Sequence, residues 1–194
     1  MGKGRLEAFS DGVIAILITI MVLDLRVPGG GSWSALSPLA PVLLTYVLSF
    51  VYLGIYWSNH HHMLHASSRV TGSILWANLH LLFWLSLVPW STAWMDETHF
   101  GPTPVAAYGV ILLMAAMAYW VLQQLIIRSQ GAQSLLRRAV GRDWKGKVSP
   151  CLYLIAIGVS GRWPYLSLAT YALVAMIWLV PDRRIERTLS AVSH

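Results

Sequence analysis

Long apolar runs divide this chain of 194 residues into segments of helix length. A helix that crosses the hydrocarbon core of a membrane needs roughly 20 mostly apolar residues. The pattern predicts six spans, near residues 8–25, 38–57, 70–91, 104–127, 148–161 and 164–180. The runs do not alternate in polarity over about ten residues, as the strands of a membrane barrel would. We therefore expect an all-α membrane protein, a single six-helix transmembrane domain over residues 1–194.

The breaks between the apolar runs agree with this division. Pro28 is followed by three glycines, and Gly101 by Pro102, which are combinations typical of loops. The last two spans are short and are separated only by residues 161–164, Gly-Arg-Trp-Pro. We expect these two spans to form a tight helical hairpin.

Composition supports a membrane protein. Hydrophobic residues make up 56% of the chain and charged residues only 11%, against about 25% charged in soluble domains. The lone cysteine, Cys151, excludes an intrachain disulfide and a thiol-based metal cluster. Lys3 and Arg5 precede the first apolar run, as in a signal peptide. That run carries Glu7 and Asp11 and has no small-residue cleavage pattern, so we interpret it as a retained span.

The placement of the basic residues predicts the topology. With both termini in the cytoplasm, the outer loops contain only Arg26 and Arg162, while Asp96 and Glu97 fall in the loop between the third and fourth spans. The inner segments hold Lys3, Arg5, Arg69, Arg128, Arg137, Arg138, Arg142, Lys145, Lys147, Arg183, Arg184 and Arg187. This asymmetry is the positive-inside pattern of a multi-pass protein of the cell membrane. The basic segment 128–147 is then explained by topology and contact with anionic lipid, and nucleic acid is not an expected partner.

The first span has two distinct faces. At about 100° per residue, one stripe consists of branched and aromatic residues with a threonine beside it: Phe9, Ile16, Ile20 and Leu23, with Thr19. Ser10 and Asp11 lie roughly 120–140° away from Ile16 on the helical wheel. The stripe fits either a surface that faces lipid or other helices, or the wall of a pore. Periodicity alone leaves both interpretations open.

The charged residues at the head of this span suggest function. Charged groups in a membrane helix are costly and usually face protein or water. Arg5 fits a side chain that reaches the interface, whereas Asp11 is short and apolar residues begin two positions after it. An unpaired carboxylate would be expensive there, so we expect Asp11 to be hydrogen-bonded.

Four sequence motifs carry a resemblance to a known family. Arg5-x3-Phe9-Ser10-Asp11 runs directly into the apolar residues 12–23. The second span ends in Tyr-Trp-Ser-Asn-His-His at residues 56–61. The third contains Leu-Trp-Ala-Asn-Leu-His at 75–80 and Leu-Val-Pro-Trp at 87–90. Together these motifs resemble the transmembrane protein 175 family of potassium channels, the endolysosomal channel and its prokaryotic relatives, over about the first half of the chain.

This resemblance implies a fold and a function. Family members are built from a six-helix repeat without a pore loop, and the chain has no Thr-Val-Gly-Tyr-Gly filter sequence. A single repeat resembles the prokaryotic members, which assemble as homotetramers. The resemblance implies a potassium-permeable channel lined by the first helix of each subunit. Ile16 would form the constriction, Ile20 and Leu23 further apolar rings, and Thr19 a polar step between them.

The same resemblance implies a network that holds the first helix. Its members on that helix would be Arg5, Ser10 and Asp11, next to Phe9. The candidate partners are His60, Trp76 and His80. A proton-conducting channel through the same pore is the principal alternative function, because relatives in the family are thought to pass protons as well.

A cluster of histidines at residues 60–65 raises the question of a metal site. His61 and His65 are four residues apart, a spacing that can bind a transition metal on a helix. No carboxylate or thiol lies nearby in the sequence to complete a site. We therefore predict no metal other than permeating potassium, and no cofactor. A role in pH response stays open, since histidine titrates near neutrality.

Two further function classes have less support. A secondary transporter would need a polar site near the membrane midplane, and beyond Asn78, His80 and Ser86 little in the third span could form one. An intramembrane hydrolase would need a nucleophile with a base, or paired aspartates. Asp11 has no such companion, and we expect the protein not to be an enzyme.

Overall fold

The computed structural model describes residues 2–179 except 68, 132–133, 135 and 138–143, and its regular elements in these ranges are all helical. The α-helices are α1 (Lys3–Leu23), α2 (Ala40–His65), α3 (Gly72–Ser86), α4 (Val88–Glu97), α5 (Pro102–Gln130), α6 (Trp144–Val159) and α7 (Pro164–Leu179). A 3-10 helix, Trp33–Leu39, leads into α2. Of the basic residues used to predict topology, Arg138, Arg142, Arg183, Arg184 and Arg187 lie outside the described residues, as does the last residue of the sixth predicted span.

Four helical segments are long and apolar enough to cross a membrane: Lys3–Leu23, Trp33–His65, Gly72–Glu97 and Pro102–Gln130. The helices α6 and α7 have 16 residues each, or about 24 Å at about 1.5 Å per residue. They form a hairpin whose turn lies at residues 160–163, as the sequence predicts. The prediction of an all-α protein with several apolar helices is confirmed.

The third predicted span differs from the expectation of one helix over 70–91. It consists of α3 and α4, which meet at Leu87. Pro89 has no N–H, and its ring would clash with the carbonyl of Leu85 in a continuous helix. The chain re-enters a helix at once, since the Ser91 N–H donates to the Leu87 carbonyl at 3.0 Å.

Because α4 continues to Glu97, the prediction that Asp96 and Glu97 lie in a loop is wrong. Both residues belong to the last turn of α4. The Thr45 hydroxyl of α2 donates to Asp96 Oδ1 at 2.7 Å. This hydrogen bond gives the carboxylate a partner within the helix bundle and joins the last turn of α4 to α2.

The buried core centres on α5, which packs against α3, α4, α6 and α7, and α1 packs against α2, α3 and α4. Two tyrosines join three of the core helices by hydrogen bonds. Tyr52 Oη donates to the Tyr171 carbonyl at 2.6 Å, and Tyr171 Oη to the Val105 carbonyl at 3.1 Å. Because buried hydroxyls need partners, these bonds specify how α2, α5 and α7 fit together.

At Gly109, α5 lies too close to α6 and α7 to admit a Cβ atom, and replacing this glycine is a direct test of the packing. A Cβ at this position would lie 2.7 Å from Tyr171 Cζ and 2.8 Å from Ile157 Cγ1. We expect Gly109→Ala to lower the free energy of unfolding by about 2 kcal/mol, because Tyr171 must move in a well-packed core. Gly54→Ala in α2 is the matched control, since a Cβ there meets nothing within 4 Å. Denaturation in detergent should show a loss for the first variant only, and equal stability of the two would refute this packing.

Candidate functional site

Helix α1 presents two different faces in the single subunit. Its buried residues recur every three or four positions: Leu6, Ser10, Ile14, Leu17 and Met21. The predicted stripe is exposed along its whole length: Phe9, Ile16, Thr19, Ile20 and Leu23. The exposed fraction is 57% for Ile16 and 80% for Leu23. The helix is therefore anchored on one side and leaves a continuous, mainly apolar surface on the other.

The exposed face also contains the smallest side chains of the helix. Ala8, Gly12 and Ala15 are exposed between the bulky residues. Small residues allow membrane helices to approach one another closely. The face thus combines protruding branched side chains with positions where another helix could pack.

Thr19 is the polar member of this face. Its hydroxyl donates to the Ile16 carbonyl at 3.0 Å. This bond uses the hydroxyl proton and leaves the lone pairs of the oxygen available. Thr19 can therefore offer an oxygen acceptor to water or a cation within an otherwise apolar stripe.

On the opposite side, a chain of buried polar groups ties α1 to α2 and α3. Ser10 Oγ donates to the Leu6 carbonyl at 2.9 Å and accepts from Asn78 Nδ2 at 2.9 Å. Asn78 Oδ1 lies 2.6 Å from His60 Nε2. Because an amide oxygen only accepts hydrogen bonds, His60 Nε2 carries the proton of this bond. Ser10, Asn78 and His60 are all buried, so the bonds connect three helices in a dry environment.

Asp11 joins α1 to α2 at a second point. Its Oδ1 accepts a hydrogen bond of 3.0 Å from Trp57 Nε1. The carboxylate is half-buried, and the indole that binds it is partly exposed. Asp11 thus has a hydrogen-bond partner at the edge of the α1–α2 interface.

The remaining predicted residues lie at the surface of the subunit. Trp76 is 75% exposed. His80 is also exposed, and its Nε2 accepts from Trp84 Nε1 at 2.9 Å. Arg5 is exposed as well, and its guanidinium makes no hydrogen bond or ion pair with another described residue. The structure therefore brings Ser10, Asp11 and His60 to one junction and leaves the other predicted residues on the outside.

Two residues of this junction were not predicted as partners, Trp57 and Asn78. Asn78 had a detectable signal in the sequence. It lies on the face of α3 that carries Ile74, Leu81 and Leu85, all of them buried. A polar residue within such an apolar repeat indicates a buried hydrogen bond, because an unpaired amide there would be costly. Nothing in the sequence distinguishes Trp57 from the other tryptophans at the ends of spans.

The histidines near the end of α2 pack against one another and do not form a larger ligand cluster. The rings of His61 and His65 are stacked with centroids 6.1 Å apart. Lys3 Nζ of α1 donates to the His65 carbonyl at 2.7 Å and lies 3.9 Å from Glu7 Oε1. In the part of the chain that the structure describes, no three histidine, cysteine or acidic side chains are arranged to hold a metal ion.

Comparison with known proteins decides the family. The model of the endosomal/lysosomal potassium channel TMEM175 family matches residues 5–89, which include both polar connections of α1. A protein from Chryseobacterium sp. (strain P1-3) named as a potassium channel is 54% identical over 97% of this chain and 98% of its own length. The chain belongs to the TMEM175 family. The predicted resemblance is confirmed, and the protein is an integral membrane protein of a channel family.

The TMEM175 fold is also recognised in three dimensions. The crystal structure of a lysosomal potassium-selective channel TMEM175 homolog from Chamaesiphon minutus matches with a TM-score of 0.77. The match covers 93% of this chain and 97% of that one, at 27% identity. The human endosomal/lysosomal proton channel TMEM175 is 36% identical over 43% of this chain, but only 19% of the human protein is matched. The bacterial relatives thus match this TMEM175 chain along its length, and the human relative only in part.

Proposed function

We propose that this chain is one subunit of a homotetrameric, potassium-permeable cation channel whose pore is lined by α1. Its bacterial relatives from Chryseobacterium and Chamaesiphon minutus are named as potassium channels. The proposal places the protein in the prokaryotic plasma membrane with both termini in the cytoplasm. Potassium ions, the lipid bilayer and further copies of the chain are its partners.

The observation that carries this proposal is the division of α1 into an anchored face and an exposed face. On the inside, the buried Ser10 and the half-buried Asp11 both have hydrogen-bond partners. The exposed stripe carries one hydroxyl among branched apolar side chains. Symmetry-related copies of this helix around an axis would enclose a narrow apolar passage, with the polar anchors directed away from it.

Such a passage controls ions by exclusion of water. Rings of Ile16, Ile20 and Leu23 narrow enough to expel water present a dewetting barrier to a hydrated ion, so a small change in radius changes conduction strongly. These side chains offer no oxygen to replace the hydration shell. Selectivity for potassium over sodium is therefore modest and depends on Thr19, with Ile16 as the tightest ring.

A proton-conducting channel through the same pore is the second candidate, because the human and chicken relatives are named as proton channels. Purified protein in liposomes separates the two. The liposomes contain potassium and are diluted into a potassium-free bath, so a potassium channel lets the ion leave down its gradient. A proton uncoupler then shows whether proton entry limits this efflux. Potassium efflux that the uncoupler accelerates supports potassium conduction. Proton entry that appears only when a potassium ionophore releases the ion, with no potassium efflux in its absence, supports proton conduction. A saturable, coupled exchange would instead support a secondary transporter.

One prediction of this proposal concerns assembly. If α1 lines a shared pore, the purified protein is a tetramer in detergent, because the exposed face of α1 is covered only in the oligomer. Native mass spectrometry of the full chain measures this directly. A monomeric particle that conducts potassium in liposomes would refute the shared pore.

A second prediction concerns Thr19. Thr19→Val keeps the volume and removes the oxygen, so we expect the potassium-to-sodium permeability ratio to fall about twofold to threefold, a barrier difference of under about 1 kcal/mol. Reversal potentials in mixed potassium and sodium gradients measure the ratio. Thr170→Val in α7 is the matched control, since its exposed hydroxyl also bonds a carbonyl of its own helix. If the potassium-to-sodium permeability ratio of the Thr19 variant were unchanged, only the apolar rings could determine the selectivity.

A further inference from the structure

Arg5 belongs to the first sequence motif, but the structure gives it no part in the attachment of α1. Its side chain is exposed, and its guanidinium makes no hydrogen bond or ion pair with another described residue. The side-chain hydrogen bonds that join α1 to α2 and α3 involve Lys3, Ser10 and Asp11 instead. A guanidinium stays protonated at every physiological pH. Arg5 is therefore a permanent positive charge without a partner among the described residues.

Helical periodicity places Arg5 on the exposed stripe of α1. The helix is continuous from Lys3 to Leu23, with about 100° of rotation and about 1.5 Å of rise per residue. Arg5 and Leu23 are 18 positions apart in the chain, so they lie on one line along the helix, about 27 Å from each other. Ile16 lies about 20° from this line. The stripe thus has an uncharged end at Leu23 and a positive charge at the end where the helix begins.

The acidic residues of α1 do not lie beside Arg5. Glu7 is about 160° away around the helix and Asp11 about 120° away. Glu7 Oε1 lies 3.9 Å from Lys3 Nζ, and Asp11 accepts a hydrogen bond from Trp57. The structure describes the whole of α1, and within this helix Arg5 is the one charged residue on the side of the stripe. No other residue of α1 therefore neutralises the charge at this position.

We propose that Arg5 of each subunit contributes to a ring of positive charge at the cytoplasmic mouth of the pore, and that this ring makes conduction unequal in the two directions. The inference rests on the proposed tetramer, in which the stripe of α1 faces the axis and the N-terminus is cytoplasmic. Like charges repel, so the ring lowers the concentration of potassium at this entrance. At the other entrance the stripe ends in the uncharged Leu23. Potassium therefore enters the cell more readily than it leaves at equal and opposite voltages.

An arginine that extends to lipid headgroups is the competing interpretation of the same exposure. Such a side chain would lie on the outside of the assembly, away from the path of the ions. Interactions between exposed charges are screened beyond about 10 Å at 0.1 M salt, so its charge would not affect the direction of the current. A comparison of the currents in the two directions therefore distinguishes the two positions of Arg5.

The experiment measures potassium currents in inside-out patches of giant bacterial spheroplasts that express the full chain, with equal potassium on both sides. In the unaltered protein, we expect the outward current to be about one half to one third of the inward current at equal and opposite voltages. Arg5→Gln removes the charge and should make the two currents equal. Arg5→Lys keeps the charge and should preserve the difference, whereas Arg5→Glu should reverse it.

Arg128→Gln is the matched control. Arg128 is an exposed arginine in the last turn of α5, on the same side of the membrane as Arg5 in the predicted topology. Its replacement should leave the ratio of the two currents unchanged. In the unaltered protein, an impermeant salt at about 1 M on the cytoplasmic face shortens the Debye length to about 3 Å and should also make the currents equal. This second measurement tests the proposal if Arg5→Gln does not assemble.

Equal currents in the unaltered protein would overturn the role of Arg5, as would a difference that persists in Arg5→Gln or at high ionic strength. A failure of the proposed channel gives another result. The unaltered protein would then carry no potassium current, or Ile16→Ala would leave the current unchanged, and the ring would be refuted together with the shared pore.

Discussion

Replacing Ile16 with alanine is expected to raise the potassium flux about tenfold, which corresponds to a barrier lower by about 1.4 kcal/mol. Ile16 is 57% exposed on the free face of α1, and in the proposed pore each subunit would contribute one copy to the narrowest ring. The shorter side chain widens this ring and lets water remain in it, so the dewetting barrier falls. Potassium efflux from liposomes with a known number of reconstituted channels measures the change.

The matched control for this variant is Ile155→Ala. Ile155 lies on α6 and is 59% exposed, so the same atoms are removed from a surface of similar exposure outside α1. Its flux should equal that of the unaltered protein, and native mass spectrometry should give the same tetramer for both variants. Equal flux of the two variants would show that Ile16 does not line the pore.

Replacing Asn78 with alanine is expected to lower the free energy of unfolding by about 3 kcal/mol. The substitution strands the buried His60 Nε2, which costs about 1–3 kcal/mol, and leaves a void between α1, α2 and α3 that adds to this loss. Asn78 alone connects Ser10 to His60, so no other described side chain replaces either bond. Chemical denaturation in detergent, followed by circular dichroism, measures the effect.

Asn59→Ala is the control for this second prediction. The Asn59 amide donates to the Ile55 carbonyl of its own helix and is half-buried. Its removal should cost well under 1 kcal/mol, since the carbonyl keeps its helical partner. If both asparagine variants were equally stable, the chain of bonds from Ser10 to His60 would not hold α1 in place.

The two predictions address different faces of the same helix. Ile16→Ala should change flux with little effect on folding, because the side chain is exposed in the single subunit. Asn78→Ala should weaken folding, because it acts on the buried side of α1. If Ile16→Ala weakened folding and Asn78→Ala changed only the flux, the pore-lining face and the buried face of α1 would have been assigned the wrong way round.

The sequence by itself determined the class of fold and the positions of most helices. A segment must be about 20 apolar residues long to cross the hydrocarbon, and this requirement is visible in α1, α2 and α5 without any tertiary information. The stripe from Phe9 to Leu23 is likewise a property of helical periodicity alone. The motifs at residues 5–11, 56–61, 75–80 and 87–90 together were sufficient to indicate the family.

Only the tertiary structure decided where α3 ends and which polar groups meet. Pro89 allows either a kinked continuous span or a break, and the packing around it produced a break at Leu87 followed by a helix long enough to bring Asp96 to Thr45. The connection of Ser10 to His60 through Asn78 joins residues that lie 50 and 68 positions away from Ser10 in the chain. Local periodicity identifies a buried face but not the side chain opposite it, because that depends on how three helices are rotated against one another.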